Sequence, residues 1–264
     1  MPSLRIRAGD LPLRLFGLAV LAFLLLPTLI MVPVSFDSVH FIRFPPRDFS
    51  LRWYREYLAD PEWMAATVFS LQIAALTMLA ATVLGTMTAV ALERGRLPGR
   101  EAIRALLLAP LLVPHVVVAI AVYLQFTPIG LTGTTTGFVL IHTALAIPYV
   151  VLVVSASLAR LDPTLDRAAM NLGASPTRAF FAVTLPLIRP GIFAAAVFAF
   201  LSSFDETVVA FFISGDRHKT LTRKMFEDID MNLSPIIAAA STVIVVVTIA
   251  LMWLGRSAAA QVSK

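Results

Sequence analysis

Residues 105–159 read ALLLAPLLVPHVVVAIAVYLQFTPIGLTGTTTGFVLIHTALAIPYVVLVVSASLA, with no Asp, Glu, Lys or Arg anywhere in the stretch. A bilayer core of ~30 Å is crossed by about 20 helical residues at 1.5 Å each. The stretch is therefore too long for one crossing and too apolar for a domain dissolved in water. Pro128, Gly130, Gly133 and Gly137 crowd one short polar patch inside it, and such breakers mark a turn. The reading is two membrane helices, about 105–126 and 138–159, joined by a tight connection.

Moving outward, the same test finds further spans at about 15–36, 64–92, 190–213 and 236–254, the third of these interrupted only by Asp205 and Glu206. The expected fold is an all-α integral membrane protein with six transmembrane helices. It is expected to form one domain over residues 1–264, with no room for a separate soluble domain. Composition agrees: 58% of the 264 residues are hydrophobic and 14% charged, with a mean hydropathy of +0.85. Soluble domains run at roughly 45–50% apolar and about 25% charged. Disorder, collagen, disulfide-rich secreted scaffolds and ordinary cytosolic enzymes are excluded at this step. No run shows the ~10-residue alternation of an outer-membrane barrel. Basic residues precede the first span as in a signal peptide, but the apolar region is too long and no convincing small-x-small cleavage site follows. It is expected to be a retained helix. Pro27, Pro33, Pro110, Pro114 and Pro148 lie within spans, where neighbouring helices can re-satisfy freed carbonyls.

Charge sets the orientation. The N-terminus, residues 93–104 and 160–189, and the C-terminus together carry 13 of the 21 Lys and Arg but five of the 16 acids. The positive-inside rule places these segments, and so both termini, on the cytoplasmic face. The net charge of +5 is then a consequence of topology, and nucleic acid need not be invoked.

Several chemistries are missing. There is no cysteine, hence no thiol catalysis. No Gly-Lys pair occurs, so the chain has no phosphate-cradling Walker loop. His40, His115, His142 and His218 have no metal-ligand spacing to one another or to a carboxylate pair, and neither a metal nor a cofactor is expected in this chain. His115 and His142 fall within spans. A neutral imidazole bonded between helices is preferred for them over a proton relay. Nothing supports an enzyme.

The most informative connection lies between spans four and five, LDPTLDRAAMNLGASPTRAFFAVTLP over residues 161–186. Asp162 followed by Pro163 is an N-cap with proline at the first helical position. Thr164 to Leu172 are good helix formers, and Gly173 supplies the left-handed residue that ends the helix. Ser175 and Pro176 repeat the cap-and-proline device, and Leu185-Pro186 is expected to stop this second helix before the next span. Ala168 and Ala169 leave a surface that another protein could approach closely. Two capped helices and a glycine hinge favour a docking surface over a mere connector.

This loop resembles the EAA loop of ABC-importer permeases: Glu-Ala-Ala, three residues, Gly, nine residues, Ile, one residue, Leu-Pro. Here Arg167-Ala168-Ala169 is followed by Gly173, Val183 and Leu185-Pro186 at the same spacing. Val183 replaces Ile conservatively. Arg167 replaces Glu and reverses a charge, and Asp166 cannot simply substitute because it lies ~100° away round the helix. The segments Phe49-Ser-Leu-Arg-Trp-Tyr and Ser203-Phe-Asp-Glu-Thr-Val-Val are similar to the second permease of spermidine/putrescine importers and its close relatives. The resemblance implies a type I ABC-importer permease fold in a bacterial inner membrane. It implies a non-catalytic subunit forming half of a pathway with a second, homologous permease in a heterodimer. A dimer of cytoplasmic ATPases would bind ATP and Mg, and a periplasmic or lipid-anchored protein would deliver solute. Arg167, Ala168, Ala169, Gly173, Ala174, Ser175, Leu185 and Pro186 would couple this chain to the ATPase.

Asp205 and Glu206 are the candidate pathway residues. A carboxylate at the bilayer centre costs about 2.5–3.5 kcal/mol on insertion scales, and such groups usually face a bundle interior or an aqueous cavity. Consecutive helical residues diverge by ~100°, so one acid is expected to line the pathway and the other to brace a neighbouring helix. A cationic solute such as a polyamine suits them. The competing reading has the helix ending near Ser202, with the acids at its polar mouth or paired with Arg217 or Arg223. Two other transport readings stand beside this one. The same transporter class could carry another small organic solute such as an aminoalkylphosphonate. An ATPase-independent secondary transporter would show broken helices paired between inverted halves.

Overall fold

A computed structural model describes residues 11–95, 97–215, 218–231 and 234–262. Of the charges weighed above, Arg5, Arg7, Asp10, Arg96, Arg217 and Lys264 lie outside these residues. Every regular element described is helical: α1 (Leu11–Val34), α2 (Arg52–Ala59), α3 (Pro61–Arg94), α4 (Arg100–Leu108), α5 (His115–Phe126), α6 (Thr135–Ala159), α7 (Thr164–Asn171), α8 (Pro176–Ala179), α9 (Leu185–Phe204), α10 (Val208–Ile213), α11 (Leu221–Met231) and α12 (Ile236–Val262). They gather into two compact units, residues 11–60 with 227–245 and residues 61–226 with 246–262.

In the first unit α1 is apolar all round, as a lipid-facing helix must be, and carries Pro27 and Pro33 without breaking. Beyond its end the chain turns through polar contacts. The Ser35 hydroxyl lies 2.6 Å from the Tyr54 hydroxyl. The buried Asp37 carboxylate takes a forked pair of bonds from Arg43, at 2.7 and 3.1 Å. That guanidinium holds Asp37 below the usual carboxylate range against the opposing effect of burial. Trp53 and Tyr57, four apart on α2, are both buried.

The second unit is built on α3, α6 and α9, which pack side by side. Lipid tails are as apolar as these helices, so contact between them depends on close approach of small residues. Ala81, Ala89, Ala146, Ala195 and Ala199 form that inner seam with Val150, Val154 and Ile188. At Gly85 an added Cβ would fall 2.6 Å from Val150 Cγ1. Gly191 meets Ser157 in the same manner. A second cluster, Phe69, Ile73, Phe138, Ile141 and Leu145 with Val209 and Ile213, joins α3 and α6 to α10. The connection before α6 is fastened there by the Gly133 N–H, which donates to the Ile213 carbonyl at 2.7 Å.

Three expectations are corrected. The span at 105–126 is not one straight helix. α4 with the turn Ala109–Leu111 and α5 meet at 95°. Pro110 and Pro114 bracket the bend; each lacks an N–H, and Pro114, at φ −56° and ψ 129°, leaves the helical path before α5. The span at 190–213 is likewise broken, with α9 ending at Phe204 and α10 starting at Val208. Finally, Leu185-Pro186 does not stop the helix before span five. A π-helical turn, Phe180–Thr184, carries α8 directly into α9. Pro186 then sits directly after the π-helical turn, at the start of α9, where a π-bulge is a usual site for such an irregularity. Among the described residues four helices are long and apolar enough to cross a membrane, five if the bent pair counts as one, with Ile236–Ala250 as a shorter apolar helix.

Candidate functional site

The first turns of the loop over residues 161–186 carry the caps that its sequence suggests. The Asp162 carboxylate accepts from the Thr164 N–H at 2.9 Å. That bond, the Thr164 hydroxyl and the nearby Arg167 hold its carboxyl below the usual range. α7 ends in a Schellman turn: the Ala174 N–H bonds the Ala169 carbonyl at 3.1 Å and the Gly173 N–H bonds Met170 at 2.9 Å. Gly173 has φ +91°, with open space where a Cβ would lie. The Ser175 hydroxyl accepts from the Arg178 N–H at 3.3 Å and starts α8.

The two neighbours in the EAA-like stretch face opposite ways. Arg167 and Ala168 are exposed, Ala169 and Ala174 half-buried. Asp166 turns inward. Its Oδ1 accepts from the Thr184 hydroxyl at 2.5 Å, and its Oδ2 lies 3.5 Å from Nη1 of Arg94 at the end of α3. The carboxylate dismissed on angular grounds as a stand-in for the family Glu is thus the one that ties α7 to its own bundle. Leu185 and Pro186 are half-buried in the helix that leads away.

The acid pair lies at the α9–α10 break. Asp205 caps the last turn of α9 through its N–H to the Leu201 carbonyl at 3.0 Å, and it is exposed. Glu206 is 8% exposed. Its Oε1 accepts from the Val209 N–H at 3.0 Å, capping α10, and its Oε2 is 3.2 Å from Nδ1 of His115, the first residue of α5. Glu206 therefore engages a neighbouring helix and Asp205 is the more accessible acid; both lie in the break between Phe204 and Val208, so the ~100° step of a continuous helix does not relate them. The competing placement, a helix end near Ser202 with the acids at its mouth, agrees in outline: α9 ends at Phe204 and both acids lie beyond it. Arg223 lies over the Phe211 ring at 3.8 Å, and Arg217 is outside the described residues. One turn earlier the buried His142 bridges α6 to α9, its Nδ1 2.8 Å from the Ser203 hydroxyl, as expected of an interhelical imidazole. His115 departs from that expectation: its partner is an acid, at a bend instead of mid-span. The sequence signal available for this pair was Pro114, which ends α4's turn and starts a new helix at His115. Among the described residues no three of His, Asp and Glu are grouped to hold a metal.

A family profile described as "Binding-protein-dependent transport system inner membrane component" matches residues 81–260. The chain is 37% identical over 230 residues to the putrescine transport system permease protein PotI of Escherichia coli K12, covering 84% of this chain and 81% of that one. It is 29% identical over 238 residues to the spermidine/putrescine transport system permease protein PotC of the same strain, covering 90% and 89%. The fold is that of ABC-importer permeases. A bacterial ABC transporter involved in the import of the acidic polysaccharide alginate superposes with a TM-score of 0.72 at 14% identity, covering 97% of both chains. The MetNI methionine ABC transporter does so at 0.64 and 16%, covering 78% of this chain and 100% of that one.

Proposed function

The chain belongs to the family of binding-protein-dependent transport system inner membrane components, and we propose from that premise that it is the permease half of an ATP-driven importer for a small cationic solute such as putrescine or spermidine. Support for the solute comes from the 37% identity to a putrescine permease together with one observation: an exposed carboxylate, Asp205, at the C-terminal end of α9. A helix C-terminus carries partial negative charge. With the Asp205 carboxylate it forms an acidic spot suited to an ammonium group. Glu206 acts beside it by fixing the α9–α10 break and the start of α5.

In this reading the chain crosses the inner membrane six times with both termini in the cytoplasm. It pairs with a second, homologous permease and receives solute from a periplasmic or lipid-anchored binding protein. An ATPase dimer holding ATP and Mg grips residues 161–186, with Arg167, Ala168, Ala169, Gly173, Ala174, Ser175, Leu185 and Pro186 at the contact or shaping it. Closure of that dimer shifts the bundle between two discrete states, each favoured by a different ligand.

Uptake of labelled putrescine by the assembled transporter tests the solute site. Asp205→Asn is expected to lower uptake at sub-saturating solute at least about tenfold, the scale of one lost charge-assisted contact. Glu206→Gln is expected to lower it less. Normal uptake in both single variants and the double variant overturns the cation reading. Gly173→Val tests the loop, since a β-branched residue resists positive φ. Normal ATPase retention together with normal solute-stimulated ATP hydrolysis overturns that assignment.

A further inference from the structure

Residues 160–189 contain four arginines, Arg160, Arg167, Arg178 and Arg189, and two acids, Asp162 and Asp166. All four arginines are exposed. Asp166 is turned inward to Arg94 and Thr184, which leaves one outward acid, Asp162, engaged at the helix start by the Thr164 N–H and near Arg167, against four arginines. The outward surface is therefore cationic. It is also partly apolar. Leu165, Ala168 and Leu172 are exposed and spaced i, i+3, i+7, one stripe of a helix. Leu172 is 91% exposed, more than any other large apolar side chain among the described residues. An exposed stripe at that spacing is how a helix is read by a groove in another protein, and Ala168 at its centre admits close approach. Arg167 lies beside the stripe.

We propose that the ATPase subunit gripping this loop presents an acidic groove, with a carboxylate opposite Arg167 and an apolar seat for Leu172. This rests on the assignment of residues 161–186 as the coupling loop and adds the chemistry of its partner. Where the family pattern has Glu at this position, this chain carries the opposite charge, and a group complementary to Arg167 is acidic. Such a pairing also excludes ATPases built for the acidic version, since like charges placed face to face repel.

The test uses the assembled transporter in neutral detergent and measures ATPase affinity against salt concentration. Arg167→Glu is expected to weaken affinity at least about tenfold and Arg167→Lys by no more than about threefold, with the salt dependence of wild-type binding flattened in Arg167→Glu. Exchange of one groove carboxylate of the ATPase for Lys is expected to restore binding to the Arg167→Glu permease. Leu172→Asp reads the loop assignment separately. If Leu172→Asp releases the ATPase while Arg167→Glu leaves affinity and salt dependence unchanged, the loop docks but the acidic groove is overturned. If neither variant alters binding, the loop assignment itself falls. If Arg167→Glu leaves ATPase affinity unchanged but reduces phosphatidylglycerol retained in nanodiscs, lipid headgroups take the arginine and the proposal is likewise overturned.

Discussion

At Glu206 one carboxylate performs two structural tasks, capping α10 through Val209 and holding His115 at the head of α5. Truncation to Ala leaves the Val209 N–H buried without a partner, which costs about 1–3 kcal/mol. Thermal melting of the purified permease is expected to show that loss for Glu206→Ala. Glu206→Gln keeps an accepting oxygen and should melt closer to wild type. Asp162 gives a pH-dependent counterpart at the start of α7. Its folded-state carboxyl is held low by Thr164 and then Arg167. Its stabilisation is thus full above the unfolded carboxylate value of about 3.9 and disappears as pH falls through the folded value. Amide protection in α7, corrected for intrinsic exchange, is expected to stay level from pH 7 to about pH 5 and to decline below about pH 4. Asp162→Asn, which can still cap, should keep protection and lose the pH dependence, whereas Asp162→Ala loses protection throughout.

Helix contacts in the second unit depend on missing side-chain volume. Gly85 faces Val150 with no room for a Cβ, and the neighbouring contacts are alanines. Gly85→Ala is expected to destabilise by about 1–3 kcal/mol, the usual scale of overpacking. Val150→Ala should recover part of that in a double-mutant cycle read by thermal melting, because the two residues share one contact. The α9 side of the bundle shows how prolines were only half legible. Pro148 rides inside α6 and Pro190 inside α9, as proline in a supported membrane helix can. Pro110 and Pro114 instead accompany a 95° bend. All four belong to apolar runs of similar composition. The difference is in the backbone: Pro114 leaves the helical path, with φ −56° and ψ 129°, and starts a new helix at His115, whereas Pro148 and Pro190 stay within theirs.

For the whole molecule, the expected orientation can be checked with the cysteine-free chain itself. Ile129→Cys, in the connection before α6, is expected to react with an impermeant maleimide from outside the cell, and Leu172→Cys, beyond the other end of α6, only after the inner face is opened; both native side chains are exposed. The opposite pattern would invert the topology. Broken helices, which a secondary transporter would also show, do occur here at residues 109–114 and 205–207, so broken helices do not separate the two transporter classes; the family match does. Membrane residence, helical class, the capped loop with its Gly173 turn and the importer family were all determined by the sequence alone. The first three depend on composition or on contacts within a few residues, which local backbone physics decides; the family rests on the resemblance of the loop's motif spacing to known permeases. The tertiary structure alone decided that Asp166 and not Arg167 faces the bundle, that α8 runs into α9, that one span is bent and another broken, and that Glu206 is engaged by His115 while Asp205 is left open. Those outcomes turn on which helices meet and at what angle, and residues 91 positions apart in the chain carry no local signal that they will touch.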